Sequence, residues 1–149
     1  MTAPILIFGW GNPSRGDDAV GPLFIERVET LALPGVECLT DFQLQVEHAL
    51  DLQDRQRVLF VDASLDAEAP FGVTTIGPQK DASFTTHAMT PQAVLQVYCD
   101  LTDEQPPATS LLAIRGEKFE LGEPLSAAGA AHLEAALTWL HDWLAQPPG

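Results

Sequence analysis

Pro4-Ile5-Leu6-Ile7-Phe8-Gly9 is an unbroken apolar run that stops at a glycine. A short run without polar alternation is the pattern of a strand covered on both faces, so it predicts the first strand of a parallel sheet. Beyond the polar turn of residues 12–17, apolar side chains recur at Val20, Leu23, Phe24, Val28 and Leu31 until Pro34-Gly35 stops the pattern. That spacing is helical, and the opening order is strand, loop, helix.

Working outward, residues 36–42 read as a second strand and 46–52 as a short helix carrying Ala49 and Leu50. Val58-Leu59-Phe60-Val61 is the most apolar strand and runs up to Asp62. Residues 71–76 form a further strand bounded by Gly77-Pro78, and Thr90-Pro91 opens a helix through Tyr98. Threonine suits the N-cap and proline the first helical position. After Pro106-Pro107 comes a strand at 110–114, then a closing helix at 126–144 with Leu133, Leu137, Leu140 and Leu144 on one stripe. Alternating strands and helices imply right-handed crossovers. The expected fold is α/β, a single three-layer αβα domain over residues 1–149 with a mostly parallel twisted sheet, and no repeat, linker or low-complexity block interrupts it.

At 149 residues and 46% hydrophobic content, one domain with a sizeable core is expected. The formal net charge of −14, from 7 Lys and Arg against 21 Asp and Glu, repels phosphate backbones and anionic headgroups. Nucleic acid and membrane are therefore excluded as partners. Met1-Thr2-Ala3-Pro4 carries no basic targeting region, and no segment approaches membrane-spanning length. A cytoplasmic, untargeted protein is expected, and size and charge suggest a monomer. Cys38 and Cys99 stand far apart without a CxxC or Cys/His spacing, and read as buried reduced thiols.

Ligands of open α/β sheets bind outside the carboxyl ends of the strands. The polar residues there are Asn12 to Asp18, Asp41, Asp62 to Ser64, Thr85 to His87, and Arg115. Gly9-Trp10-Gly11-Asn12 hints at a dinucleotide-binding turn, but Ser14 stands where the third glycine belongs and Asp17-Asp18 would repel a pyrophosphate. The nucleotide reading is rejected. An Asp17-Asp18 pair at a helix start is explained simply by capping and the helix dipole. Asp62 follows Phe60-Val61, so its carboxylate must be paired, capping or coordinating. A loop histidine such as His87 is ordinarily a surface hydrogen-bonding group, and its place at this edge is what makes it a candidate.

Asp18, Asp62 and His87 together make a mixed oxygen and nitrogen donor set with room for water or substrate, suited to a first-row divalent ion. It fits metal-assisted hydrolysis, or recognition of a metal already bound elsewhere. Gly11, Asn12, Asp17, Asp41 and Arg115 are the candidates to line the substrate cleft, while Glu47-His48 reads as the solvated face of an amphipathic helix. There is no GxSxG elbow, and neither cysteine has an electropositive neighbourhood, which disfavours covalent catalysis.

Phe8-Gly9-Trp10-Gly11-Asn12-Pro13-Ser14-Arg15-Gly16-Asp17-Asp18-Ala19-Val20-Gly21 resembles the opening motif of the hydrogenase maturation endopeptidases. Val61-Asp62-Ala63-Ser64 is similar to that family's second block, Ser83-Phe84-Thr85-Thr86-His87 to its histidine block, and residues 114–126 to its C-terminal region. The resemblance covers nearly the whole chain and implies a twisted sheet between helices. It implies that Asp18, Asp62 and His87 bind nickel and act in catalysis. The implied reaction is removal of a short C-terminal peptide from the large-subunit precursor of a nickel–iron hydrogenase, with the nickel carried by the precursor. Whether the hydrolysis is of aspartic or metal-assisted type stays open. The chain departs from the pattern at Asp18, where many members have glutamate, and in the polar loop Pro13-Ser14-Arg15-Gly16, which resembles the form found with soluble, cofactor-reducing hydrogenases. Two rivals share these residues: a nickel-binding chaperone without turnover, and a receiver-like phospho-accepting module. The latter wants Ser or Thr after the fourth strand and lysine after the fifth, where this chain offers Thr85-Thr86-His87 and Arg115-Gly116-Glu117-Lys118.

Overall fold

The structure, a computed structural model, describes residues 2–80 and 89–146. Five strands, β1 (Ile5–Trp10), β2 (Val36–Asp41), β3 (Arg57–Ser64), β4 (Phe71–Ile76) and β5 (Ala108–Arg115), form one sheet in the order β2-β1-β3-β5-β4. The helices are α1 (Val20–Thr30), α2 (Pro91–Thr102) and α3 (Ala127–Ala145), with 3-10 segments at Gly16–Ala19 and Val46–Leu52.

Side chains alternate across each strand, so the apolar runs feed two cores at once. Ile7, Leu59, Val61 and Leu112 pack with Phe24, Leu133 and Trp143 beneath α1 and α3. Leu6, Phe8, Val58 and Phe60 pack with Leu44, Leu52, Val94 and Leu95 beneath α2 and the 3-10 segment. Each such fully buried side chain contributes about 1.5–3 kcal/mol, and it is this two-sided burial that removes polar residues from β1 and β3. The N-cap of α2 forms as its sequence predicts: Thr90 Oγ1 accepts from the Ala93 N–H at 3.1 Å, with Pro91 following. Ser126 does the same for α3, accepting from the Gly129 N–H at 2.9 Å.

Three features refine the reading from sequence. The sheet is mostly parallel, as expected, but β4 runs antiparallel along the outer side of β5. The short helix at 46–52 is a 3-10 segment rather than an amphipathic α-helix. β3 continues past Val61 to Ser64, so Asp62 lies within the strand, paired with Ala113, and not beyond its end. The order also separates this fold from a receiver, whose doubly wound parallel sheet runs 2-1-3-4-5. Cys38 and Cys99 are free, as expected, but only partly buried, and among the described residues no helix is long and apolar enough to cross a membrane.

The chain leaves β1 toward β2 on one side and later returns to β3 on the other, so winding reverses between β1 and β3. A doubly wound sheet opens its ligand crevice at such a switch point. The carboxyl-terminal parts of the strands that meet there are Trp10 of β1, with Gly11 just after it, and Asp62 to Ser64 of β3.

Candidate functional site

Asp18 is carried over the end of β1 by the 3-10 turn Gly16–Ala19. Gly11 makes the approach possible: its φ is +151°, and a Cβ there would fall 2.0 Å from the Asp18 carbonyl oxygen and 3.2 Å from Oδ1. The neighbouring Asn12 N–H donates to Asp18 Oδ2 at 2.7 Å. Chain and carboxylate thus hold each other in place, and Asn12 acts here through its backbone.

Asp62 comes to the same edge from β3 and is partly buried. Burial raises its pKa, a main-chain hydrogen bond from Ala63 opposes the rise, and the negative charge of Asp18 adds to it, for a value of about 7. A carboxyl in this state holds its proton near neutrality beside a second acid. The arrangement has two chemical uses: general acid–base transfer close to physiological pH, or an oxygen pair that a cation would relieve of its mutual repulsion. No Lys or Arg among the described residues forms an ion pair with either acid, so no cationic side chain offsets their charge. Among the described residues no group of three or more His, Cys, Asp or Glu side chains is placed to hold a metal. His87, the third residue expected here, lies outside the described residues.

Asp17 has a different place from the one expected. It is fully buried, caps no N–H of its own turn, and is not presented to a cleft. Its Oδ2 accepts from the Glu117 N–H at 2.7 Å, the Lys118 N–H at 3.3 Å and the Ser126 hydroxyl at 2.7 Å, while Oδ1 accepts from the Ser126 N–H at 2.8 Å. Burial alone would raise its pKa, but the bonds from Glu117, Ser126 and Lys118 outweigh it and hold the carboxyl below the ordinary aspartate value. Gly129 completes the fit, since a Cβ there would stand 2.6 Å from Asp17 Oδ1. Asp17 therefore ties the turn bearing Asp18 to the start of α3.

His48 is likewise corrected from a solvated face to a buried group, 8% exposed, set edge-on against Phe8 with ring centroids 4.6 Å apart. Its Nδ1 accepts from the Gln45 N–H at 2.8 Å, which leaves the proton on Nε2 to be donated to Asp41 Oδ2 at 3.1 Å. Asp41 Oδ1 accepts from the Phe42 N–H at 2.7 Å, and the Asp41 carbonyl accepts from the Gly11 N–H at 3.1 Å. Asp41 thus fastens the end of β2 to the Gly11 turn. Nothing in the Glu47-His48 dipeptide itself signals this, because the partner is Asp41.

Gly11, Pro13, Pro22, Thr40, Asp41 and Phe42 line a cleft of about 180 Å³ beside this turn. Arg115 does not line it. Its Nη1 donates to the Ala67 carbonyl at 3.0 Å and its own carbonyl accepts from His132 Nδ1 at 2.8 Å, so it braces the loop after β3 against α3. A larger cavity of about 340 Å³ lies at the amino-terminal edge of the sheet, lined by Arg57, Trp139 and Trp143 among others. Buried Arg57, which the sequence reading did not single out, stacks 3.8 Å over the Trp143 ring and donates to the carbonyls of Trp143 and Gln146 at the end of α3. That role is structural, and the paired acids lie at the opposite edge.

Fold and edge together define a three-layer α/β protein with an acid pair at the switch point of its sheet. The fold is the one found in hydrogenase maturation proteases. The NiFe hydrogenase maturation protease HycI from Thermococcus kodakarensis KOD1 superimposes with a TM-score of 0.73 at 23% identity, over 97% of this chain and 94% of that one. The hydrogenase maturating endopeptidase HybD from E. coli gives 0.73 at 24% identity, over 94% and 91%. The endopeptidase HycI from Escherichia coli gives 0.67 at 20% identity, over 98% and 93%. No protein-family model matches the chain, and no curated protein matches it.

Proposed function

We propose that this chain is an endopeptidase that removes a C-terminal peptide from the nickel-loaded large-subunit precursor of a nickel–iron hydrogenase, as one maturation-protease domain over residues 1–149. The single observation that carries the reading is the acid pair: Asp62, pushed to about 7 by burial and by Asp18, at the ligand crevice of a fold shared with maturation proteases.

Nickel enters as part of the substrate. Asp18 and Asp62, with His87 as the third donor, grip the ion in the precursor and so hold the scissile bond at the crevice; positioning of this kind can supply much of a barrier reduction. A cation between the acids favours their ionised forms, so arrival of the metal releases the proton that Asp62 otherwise holds. The ionised carboxylate then accepts a proton from the attacking water, whose hydroxyl adds to the scissile carbonyl carbon. The C–N bond breaks, and the proton passes to the leaving amine. An unloaded precursor lacks the ion by which the acids hold the scissile bond at the crevice, which makes cleavage a check on metal insertion. The −14 charge supports a monomer that meets a protein partner, rather than nucleic acid or a lipid surface.

The test is incubation of the purified protein with a nickel-loaded precursor, alongside Asp18→Asn, Asp62→Asn and His87→Ala, with mass spectrometry of the products. Loss of a C-terminal peptide with wild type only is the expected result. Nickel-dependent binding of the precursor without any cleavage would overturn the protease reading in favour of a chaperone.

A further inference from the structure

The cleft beside the acid pair has a chemistry of its own. Pro13, Pro22 and Phe42 give it apolar walls, and Gly11 forms part of it by main chain. Its one charged residue, Asp41, is engaged at both oxygens, Oδ1 by the Phe42 N–H and Oδ2 by His48. At about 180 Å³ it is smaller than the roughly 300–1,000 Å³ of a small-molecule pocket, and suits one side chain of a polypeptide. Phe42, one of its walls, is 69% exposed and so is open to a partner.

Two observations say what covers it. Gly11 belongs both to the cleft and to the turn that touches Asp18, so the cleft adjoins the acid pair and is within reach of a chain held there. β2, whose last residues Thr40 and Asp41 form one wall, is the edge strand of the sheet, and no strand among the described residues pairs with its outer side. An open edge offers unpaired main-chain groups to an extended peptide, with pockets for side chains at intervals.

Resting on the endopeptidase reading, we infer that the cleft is a specificity subsite for the precursor, receiving an apolar side chain from the extended segment next to the scissile bond. The edge of β2 aligns that segment, Phe42 forms the outer wall, and His48 sets Phe42 in place by holding Asp41.

The experiment measures kcat and KM on nickel-loaded precursor for wild type, Phe42→Ala, and Leu101→Ala as a control at an exposed apolar residue on α2. Each is run on the native precursor and on precursors in which single apolar residues flanking the cut are changed to Ala. For Phe42→Ala, KM rises about tenfold with kcat within about twofold, the scale of lost apolar contact in a pocket. For one flanking position, truncation costs the wild type a similar factor but costs Phe42→Ala almost nothing. Leu101→Ala matches wild type. Equal sensitivity of wild type and Phe42→Ala to every flanking truncation would overturn the subsite while leaving the endopeptidase intact. Failure of wild type to cleave any loaded precursor would instead remove the reading on which the subsite rests.

Discussion

Replacing Asp62 by asparagine changes how stability depends on pH, and by a calculable amount. Raising a carboxyl from 3.8 to about 7 disfavours its ionised form by about 4 kcal/mol in the folded chain. Between those values the folded protein keeps a proton that the unfolded chain has lost, so stability falls as pH rises. The penalty is absent below the ordinary aspartate value and complete above about 7. Over the interval from pH 5 to pH 8, it grows by at most about 2.5 kcal/mol, less whatever solvent reaches the carboxyl. Asparagine carries no such term. Urea unfolding of nickel-free wild type and Asp62→Asn at both pH values therefore shows the variant gaining on wild type by about that amount. Asp18→Asn lowers the Asp62 value without restoring it, because burial, the first of the causes, is untouched. A gap between wild type and Asp62→Asn that is the same at both pH values would refute the argument and mean that the carboxyl is effectively solvated.

Asp17→Ala removes the charged acceptor shared by the part-buried N–H groups of Glu117, Lys118 and Ser126, and hydrogen bonds to a charged group are worth about 1.5–3 kcal/mol each, so unfolding at pH 7 shows a loss of roughly 3–5 kcal/mol. Asp17 is held below the ordinary aspartate value, so its stabilisation is present above that value and disappears as pH falls through the folded one. The difference between wild type and variant accordingly narrows in acid. Gly11→Ala places a methyl 2.0 Å from the Asp18 carbonyl oxygen, which the turn can meet only by moving. Precursor cleavage falls by about 100-fold or more, as expected for a misplacement near 1 Å, while circular dichroism keeps its folded form.

The order of elements was legible because two-sided burial writes itself into composition: Leu6 and Phe8 serve one core and Ile7 the other, so β1 has no polar position to blur it. Strand direction left no such trace. Phe71–Ile76 reads as a strand either way, and only pairing with β5 makes it antiparallel. The acids were legible as a group at the crevice edge, since their positions after β1 and in β3 follow from the alternation of strands and helices. Their division of labour was not. Asp17 and Asp18 are neighbours with the same chemistry, and what separates them is that Asp17 meets Glu117 and Ser126, contacts between residues far apart in the chain. His48 is hidden for a different reason: its partner Asp41 is near in sequence, but an amphipathic-helix pattern over 46–52 gives no sign that the ring turns back to it.

The Asp17 latch also bears on when the site comes into being during synthesis. Ser126 lies 109 residues downstream of Asp17, and Gly129, whose missing side chain leaves room for the carboxylate, lies farther still. A nascent chain that has released β1 through β5 but not the start of α3 carries Asp17 without its Ser126 partner and the Asp18 turn without its anchor. Non-local contacts of this span form late. The acid edge is thus assembled only once the start of α3 is available, and a chain that stops short of Ser126 has no finished site with which to act on another protein.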